Sequence, residues 1–318
     1  MARKLGPTLL MTVVAMIAIA VTAKAAFAQV TDYPARASTI IVPFVPGGIT
    51  DLLARVVADN LGEQFGKPFV VENKGGAGMI VGALATSKAP PDGYTMLMAT
   101  NGTMAINPTL YMALPYAPLK DLVPVALVGS LPFVLLVNPD LPVRSIGDLI
   151  QLAKQQPGRL NIASGGVGSS AHVFGELLQS AAGIKLVHVA YRGNAPAMTD
   201  VIAGHIQLMF SDIGSAEEFI KSGKLRALAV STPDRFPGTP DIPTIAESGV
   251  PGYSAESWQM LVAPAGVPDA IMSRLNSTVN AAVTSPAMRQ KLIQLQVTPK
   301  GTGTPAELRA FTQAEIDR

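Results

Sequence analysis

Two glycine-rich stretches of this chain combine hydroxyls, bare backbone and a helix start, a set that can hold an anion without a cation. The first is T-I-I-V-P-F-V-P-G-G-I-T-D-L-L-A-R, from Thr39 to Arg55. The second is S-G-G-V-G-S-S-A-H, from Ser164 to His172. Each follows a short apolar run that reads as a strand and leads into an apolar-periodic helix. In the first, Pro43 and Pro46 stiffen the loop, Gly47 and Gly48 admit a close neighbour, and Thr50 or Asp51 is placed to cap the helix. The first amides of a helix have no partner inside it and carry the positive end of its dipole, so such a loop suits a carboxylate or phosphate. In the second, Ser164, Gly168, Ser169 and Ser170 add neutral donors and His172 opens the helix. Hydrogen bonds to a charged acceptor contribute about 1.5–3 kcal/mol each. Three or four of them, less the cost of ordering, reach micromolar affinity at about −8 kcal/mol. Either loop alone is also an ordinary strand–helix turn; their matched chemistry in separate halves of the chain points to a clamp.

Other chemistries fit less well. The phosphate-loop pattern G-x-x-x-x-G-K-[ST] does not occur. Gly76-Ala77-Gly78-Met79-Ile80-Val81-Gly82 has the spacing G-x-G-x-x-x-G, and the following strand ends at Thr100-Asn101 without a ribose-binding acid, which argues against a dinucleotide. There is no G-x-S-x-G elbow. A hydrolase would have to use Ser169 or Ser170 with His172, a separation fixed by the backbone alone. The three histidines, His172, His188 and His205, have no ligand spacing, so no metal or cofactor is expected. Asn101 and Tyr191 end strands and are candidate ligand contacts; Arg192 reads as a solvated loop residue. Asp212 ends another strand, where it either accepts a substrate ammonium or caps the next helix.

The elements that must position these residues alternate strand, glycine loop and helix, the pattern of mostly parallel α/β sheets with ligands beyond the strand ends. Strands are expected at Ile40–Phe44, Phe69–Glu72 and Tyr94–Ala99. Near Val123–Val137 two β-rich runs meet at Gly129-Ser130-Leu131-Pro132, read as a crossing between lobes. A second α/β series follows, with strands at Leu160–Ala163, Leu186–Ala190, Leu208–Phe210 and Leu225–Val230. Trp258–Ala263 reads as a return strand, and Asp269–Thr284 and Ala287–Gln294 as closing helices. The expectation is a hinged clamshell, lobe 1 being 29–130 plus 253–318 and lobe 2 being 131–252.

Residues 1–28 read as a cleavable secretory signal: Arg3 and Lys4, an apolar stretch from Thr8 to Val21, then Ala26-Phe27-Ala28 before the cut. Of the 24 Lys and Arg, Arg3, Lys4 and Lys24 lie there, leaving 21 against 22 acids and a net charge of −1. A nucleic-acid partner is therefore not expected. The chain has no cysteine, so neither disulfides nor thiolate sites exist. About 290 remaining residues can bury a large core without them.

The motifs resemble the Bug-type substrate-binding proteins, extracytoplasmic receptors of tripartite tricarboxylate transporters. The resemblance runs through Tyr33-Pro34, the first glycine loop with Ala54-Arg55, V-V-E-N-K-G-G-A-G from Val70 and P-D-G-Y-T from Pro91. It continues through Asn107-Pro108, the second glycine loop, Y-R-G-N-A-P-A from Tyr191, G-K-L-R-A-L-A-V from Gly223, Trp258 and A-P-A-G-V-P from Ala263. It implies a two-lobed periplasmic binding fold, monomeric and non-enzymatic. Such a receptor closes on a di- or tricarboxylate, an acidic amino acid or an aromatic acid and delivers it to integral membrane subunits. It further implies that Pro46–Asp51 and Ser164–His172 grip the carboxylate, partly through water. Two departures stand out. Met79 puts bulk near a loop tip, and the chain stops at Arg318 where the family usually continues with a Trp-containing helix. A ligand-sensing receptor in a signalling circuit would share all these motifs.

Overall fold

The structure is a computed structural model and describes residues 33–317; the expected signal segment lies outside them. Two mixed sheets, each flanked by helices, form two lobes. The first contains β1 (Ser38–Val42), β2 (Phe69–Asn73), β3 (Thr95–Thr100), β4 (Leu122–Leu131), β10 (Ser257–Pro264) and β11 (Thr298–Pro299), in the order β11-β4-β10-β3-β1-β2. The second contains β5 (Phe133–Val137), β6 (Asn161–Ser164), β7 (Val187–Ala190), β8 (Leu208–Asp212) and β9 (Arg226–Val230), in the order β7-β6-β8-β5-β9.

The sheets are less parallel than the alternating pattern predicts, for a topological reason. β1 pairs parallel with β2 and β3, and β6 with β7 and β8. Each sheet then takes in one strand that has just crossed from the other lobe. β10 runs antiparallel between β3 and β4, and β5 antiparallel between β8 and β9. These are the apolar runs 133–137 and 257–264, buried throughout as central strands must be. The two crossings are tied together by buried Ser231. Its hydroxyl accepts from the Phe133 amide at 3.3 Å and donates to the Ala255 carbonyl at 2.8 Å.

Helices cover the sheets where the apolar periodicity places them. They are α1 (Ile49–Phe65), α2 (Ile80–Ser87), α3 (Asn107–Leu110), α4 (Pro118–Asp121), α5 (Ile146–Gln155), α6 (Ser170–Ala182), α7 (Asn194–Ile202), α8 (Ile213–Lys221), α9 (Asp269–Thr284), α10 (Pro286–Gln294) and α11 (Pro305–Asp317). A π-helical turn at Gly102–Ile106 precedes α3. α11 was not foreseen. It buries Leu308 and Thr312, sets Phe311 edge-on to Trp258 at 5.4 Å between centroids, and brings Glu315 to the Trp258 indole N–H at 3.0 Å. Among the described residues no helix is long and apolar enough to cross a membrane.

Candidate functional site

The two glycine loops do face each other. A cavity of about 580 Å³, including its open mouth, lies between the sheets. Gly48–Asp51 reach it from one side, Ser169–Ala171 from the other, and Gly193–Ala195 complete the ring. These segments are the starts of α1, α6 and α7. First-turn amides lack acceptors inside their helices, so three positive dipole ends converge on one space. The rest of the wall is mainly apolar: Phe44, Val45, Leu131 and Phe133, with Thr100, Ser257 and Gln259. Among the described residues no Lys, Arg or His lines it.

The caps differ from those the sequence suggested. Gly48, not Thr50 or Asp51, is the N-cap of α1, because the helix begins at Ile49, two residues before the start a Thr50 cap would give. Thr50 stays on the cavity wall. Asp51 braces the loop instead. It accepts from the Gly47 amide at 3.1 Å, from Arg55 at 3.0 and 3.1 Å, and from Asn73 at 3.0 Å. Burial would raise its pKa, but these donors together hold it below the usual carboxylate range. Pro46 is exposed and lies outside this wall, while Gly47 lines a neighbouring cavity.

In the second loop Ser169 is the cap of α6, accepting from the His172 amide at 3.3 Å. Ser170 points across to the other lobe. Its hydroxyl donates to Asn101 Oδ1 at 2.8 Å and lies 2.8 Å from the Ser257 hydroxyl, which itself reaches Asn101 Oδ1 at 3.2 Å. This trio links the lobes at the cavity and gives Asn101 a positioning role. Ser164 and His172 do not reach the wall. Ser164 Oγ lies 2.6 Å from His188 Nε2 and folds the loop through both polar groups of Gly166. His172 Nδ1 accepts from the Gly168 amide at 3.2 Å, and its ring stacks on His188 with centroids 4.1 Å apart. Neither Ser169 nor Ser170 has His172 as a base, which removes the geometry a hydrolase needs. Gly168 packs against Asn107 of the other lobe. Tyr191 donates to Asp200 at 2.5 Å and lines a separate 750 Å³ pocket with Arg192 and the 75–79 loop. Met79 lies on that pocket, not on the central cavity, so its bulk does not narrow the latter.

Asp212 resolves the alternative left open by the sequence. It is the N-cap of α8, accepting from the Ser215 amide at 2.8 Å, and lies off the cavity wall. At 1% exposure, burial pushes its pKa up, opposed by hydrogen bonds from Ser215 and Asn194. An Asp with a raised folded-state pKa favours the fold below its unfolded value and costs stability as pH rises through the folded one. Asp212→Asn keeps the cap oxygen and removes the charge. We expect unchanged ligand affinity and equal or higher stability at pH 7, the gain disappearing below about pH 3.9, the unfolded carboxyl value. Denaturant melts at the two pH values and a titration with any bound acid check this.

Sequence reasoning missed Ser257, Gln259 and the third helix start at Gly193–Ala195. Alternation about Trp258 could have found the first two, since residues 257 and 259 share one face of β10. Gln259 is 2% exposed, lines the cavity, and its Oε1 has no hydrogen-bond partner among the described residues. Among the described residues no group of three or more His, Cys, Asp or Glu is placed to hold a metal.

The family described as "Tripartite tricarboxylate transporter family receptor" matches residues 53–318. The chain is 39% identical over 301 residues to Protein BugT of Bordetella pertussis, covering 94% of this chain and 92% of that one. Among solved structures it resembles R. palustris Rpa4515 with adipate, at TM-score 0.86 and 38% identity, covering 90% of this chain and 96% of the other. It also resembles MatC from Rhodopseudomonas palustris with bound malate, at TM-score 0.85 and 31% identity, covering 90% and 98%. A two-lobed α/β architecture, a cavity ringed by helix starts and matches of this extent agree: the chain belongs to the tripartite tricarboxylate transporter receptor family, a family of substrate-binding receptors and not of enzymes.

Proposed function

We propose that this chain is an extracytoplasmic receptor that captures a small organic carboxylate between its lobes and passes it to integral membrane subunits of a tripartite carrier. The observation that carries this is the convergence of three helix starts on one mainly apolar cavity without a cation. Such a site holds a carboxylate through amides and hydroxyls and releases it when the jaws part, since no buried ion pair has to break. The adipate and malate in the two related structures support an acid as ligand. In this reading residues 1–28 direct export to the periplasm and are removed, the lobes comprise 29–130 plus 253–318 and 131–252, and the receptor works as a monomer. Thr50, Ser169 and Gln259, with the amides of Ile49, Thr50, Ser170 and Ala171, are the expected carboxylate donors.

A thermal-shift panel of carboxylates on the protein lacking residues 1–28 tests it. A ligand at about 100 times its Kd adds roughly 2.7 kcal/mol to stability, so at least one acid should raise Tm by several degrees. No shift with any mono-, di- or tricarboxylate or acidic amino acid would defeat the proposal.

A further inference from the structure

The central cavity does not end at the helix starts. A second cavity of about 870 Å³, including its opening, lies on their far side. The two share Gly48, Ile49, Asn194 and Ala195. The partition is thus made of the first residues of two helices, and two of its four side chains are a hydrogen and a methyl. A Cβ built on Gly48 meets nothing within 4 Å, so the space beside it is open. The outer cavity presents Leu52, Met198, Ile202, Phe219 and Leu295, with Thr199, Ser215 and Gln294 among them, and among the described residues no charged side chain lines it. Leu52 is 41% exposed there, an apolar side chain facing a concave surface.

We infer that the ligand is a carboxylic acid with an extended apolar body, its head held by the three helix starts and its tail passing between Gly48 and Ala195 into the outer cavity. The inference rests on the carboxylate-receptor reading and adds the shape of the substrate. Both cavity walls supply the reason. The inner one is lined by Phe44, Val45, Leu131 and Phe133 beyond its donors, and most of the side chains facing the outer one are aliphatic or aromatic. A compact, hydroxylated polyacid would set its extra polar groups against mainly apolar surface, where few of them find partners, which is costly. A methylene chain would remove apolar surface from water on both sides of the partition.

Calorimetric titration of the straight-chain monoacids from butanoate to decanoate tests this. Burying one methylene is worth about 0.8 kcal/mol, or roughly fourfold in affinity. We expect roughly that gain per added carbon over at least three consecutive members, and tighter binding of octanoate than of malate or citrate. The Leu52→Gln, Phe219→Gln double variant should flatten the rise for the longer acids and leave butanoate binding within twofold, which also shows that it folds. Affinity that levels off or falls from hexanoate onward, or a double variant with an unchanged slope, would overturn the inference. Binding of malate or citrate with none of the monoacids would overturn it while leaving the receptor reading standing. No binding by any acid would defeat both.

Discussion

Gly102→Ala will leave the ligand-free fold intact and weaken carboxylate binding by about ten- to a hundredfold. Gly102 opens the π-helical turn after β3, and its surroundings come from both lobes. A Cβ added there would lie 2.6 Å from Met79 Cε and 2.7 Å from the carbonyl oxygen of Gly168. The first is the free end of a flexible side chain and can move. The second is backbone of the second glycine loop and belongs to the opposing lobe. When the lobes separate, the carbonyl leaves and only the methionine has to adjust. The methyl is therefore a wedge against the closed state alone. Overpacking of this kind costs about 1–3 kcal/mol. Because affinity scales with the fraction of molecules able to close, that cost appears as roughly a ten- to hundredfold rise in Kd. Calorimetry with an acid from the panel measures the rise, and denaturant unfolding of the ligand-free protein shows whether the fold is spared. An unchanged Kd would mean that the 165–168 loop need not meet this turn when ligand is bound. Gly168→Ala is a weaker test, since its φ of +79° strains alanine in either state.

The wedge also marks where the sequence was and was not legible. Periodicity and turn chemistry located both glycine loops because each is local, a strand, a loop and a helix within some fifteen residues. The crossing at residues 129–132 was legible for the same reason. What escaped depends on distant pairing. β5 and β10 read as apolar runs, but their antiparallel direction follows from which sheet they enter after crossing. Ser257 and Gln259 flank Trp258 in a return strand, and the sheet order puts Ser257 beside Leu131 and Gln259 between Thr100 and Gly129. Ser164, Gly168 and His172 share a motif with Ser169 and Ser170, yet Ser164 holds His188 and Gly166, and His172 holds the Gly168 amide. Composition marked the loop without separating the residues on the cavity wall from those that brace it. Asp51 and Asp212 teach the same point, for both are acids beside helix starts whose oxygens are taken by backbone amides before any ligand arrives.

The bracing residues carry the second large effect, a loss of stability on acidification between about pH 6.5 and pH 4. His172 and His188 stack with an interplanar angle of 30° under the second jaw. His172 accepts the Gly168 amide on Nδ1 and so must be neutral, with its proton on Nε2, 4.0 Å from Glu176. Burial lowers its pKa and Glu176 opposes the shift only in part. Burial, reinforced by His172, takes the His188 pKa down to about 4. An unfolded histidine titrates near 6.5. Between these values the unfolded chain binds protons that the folded one refuses, so stability falls as pH falls. Each such proton adds a slope of up to about 1.4 kcal/mol per pH unit, reduced here because solvent reaches the half-buried rings. Carboxylates such as Asp51 lose their contribution in a separate, lower window, below about pH 3.9. Asp212, whose raised pKa gives an opposite change above that value, is shared by parent and variant, so the difference between their curves reads the histidine. His188→Phe keeps an aromatic ring in the stack and loses the Ser164 contact. It should be somewhat less stable than the parent at pH 7 and should lose distinctly less stability from pH 6.5 to 4.5, so that the two curves draw together. Denaturant midpoints at half-unit pH intervals decide the matter. Parallel curves would mean that the stacked pair is not the source of the acid sensitivity, and would leave the second jaw's loop geometry to the Ser164 and Gly166 contacts.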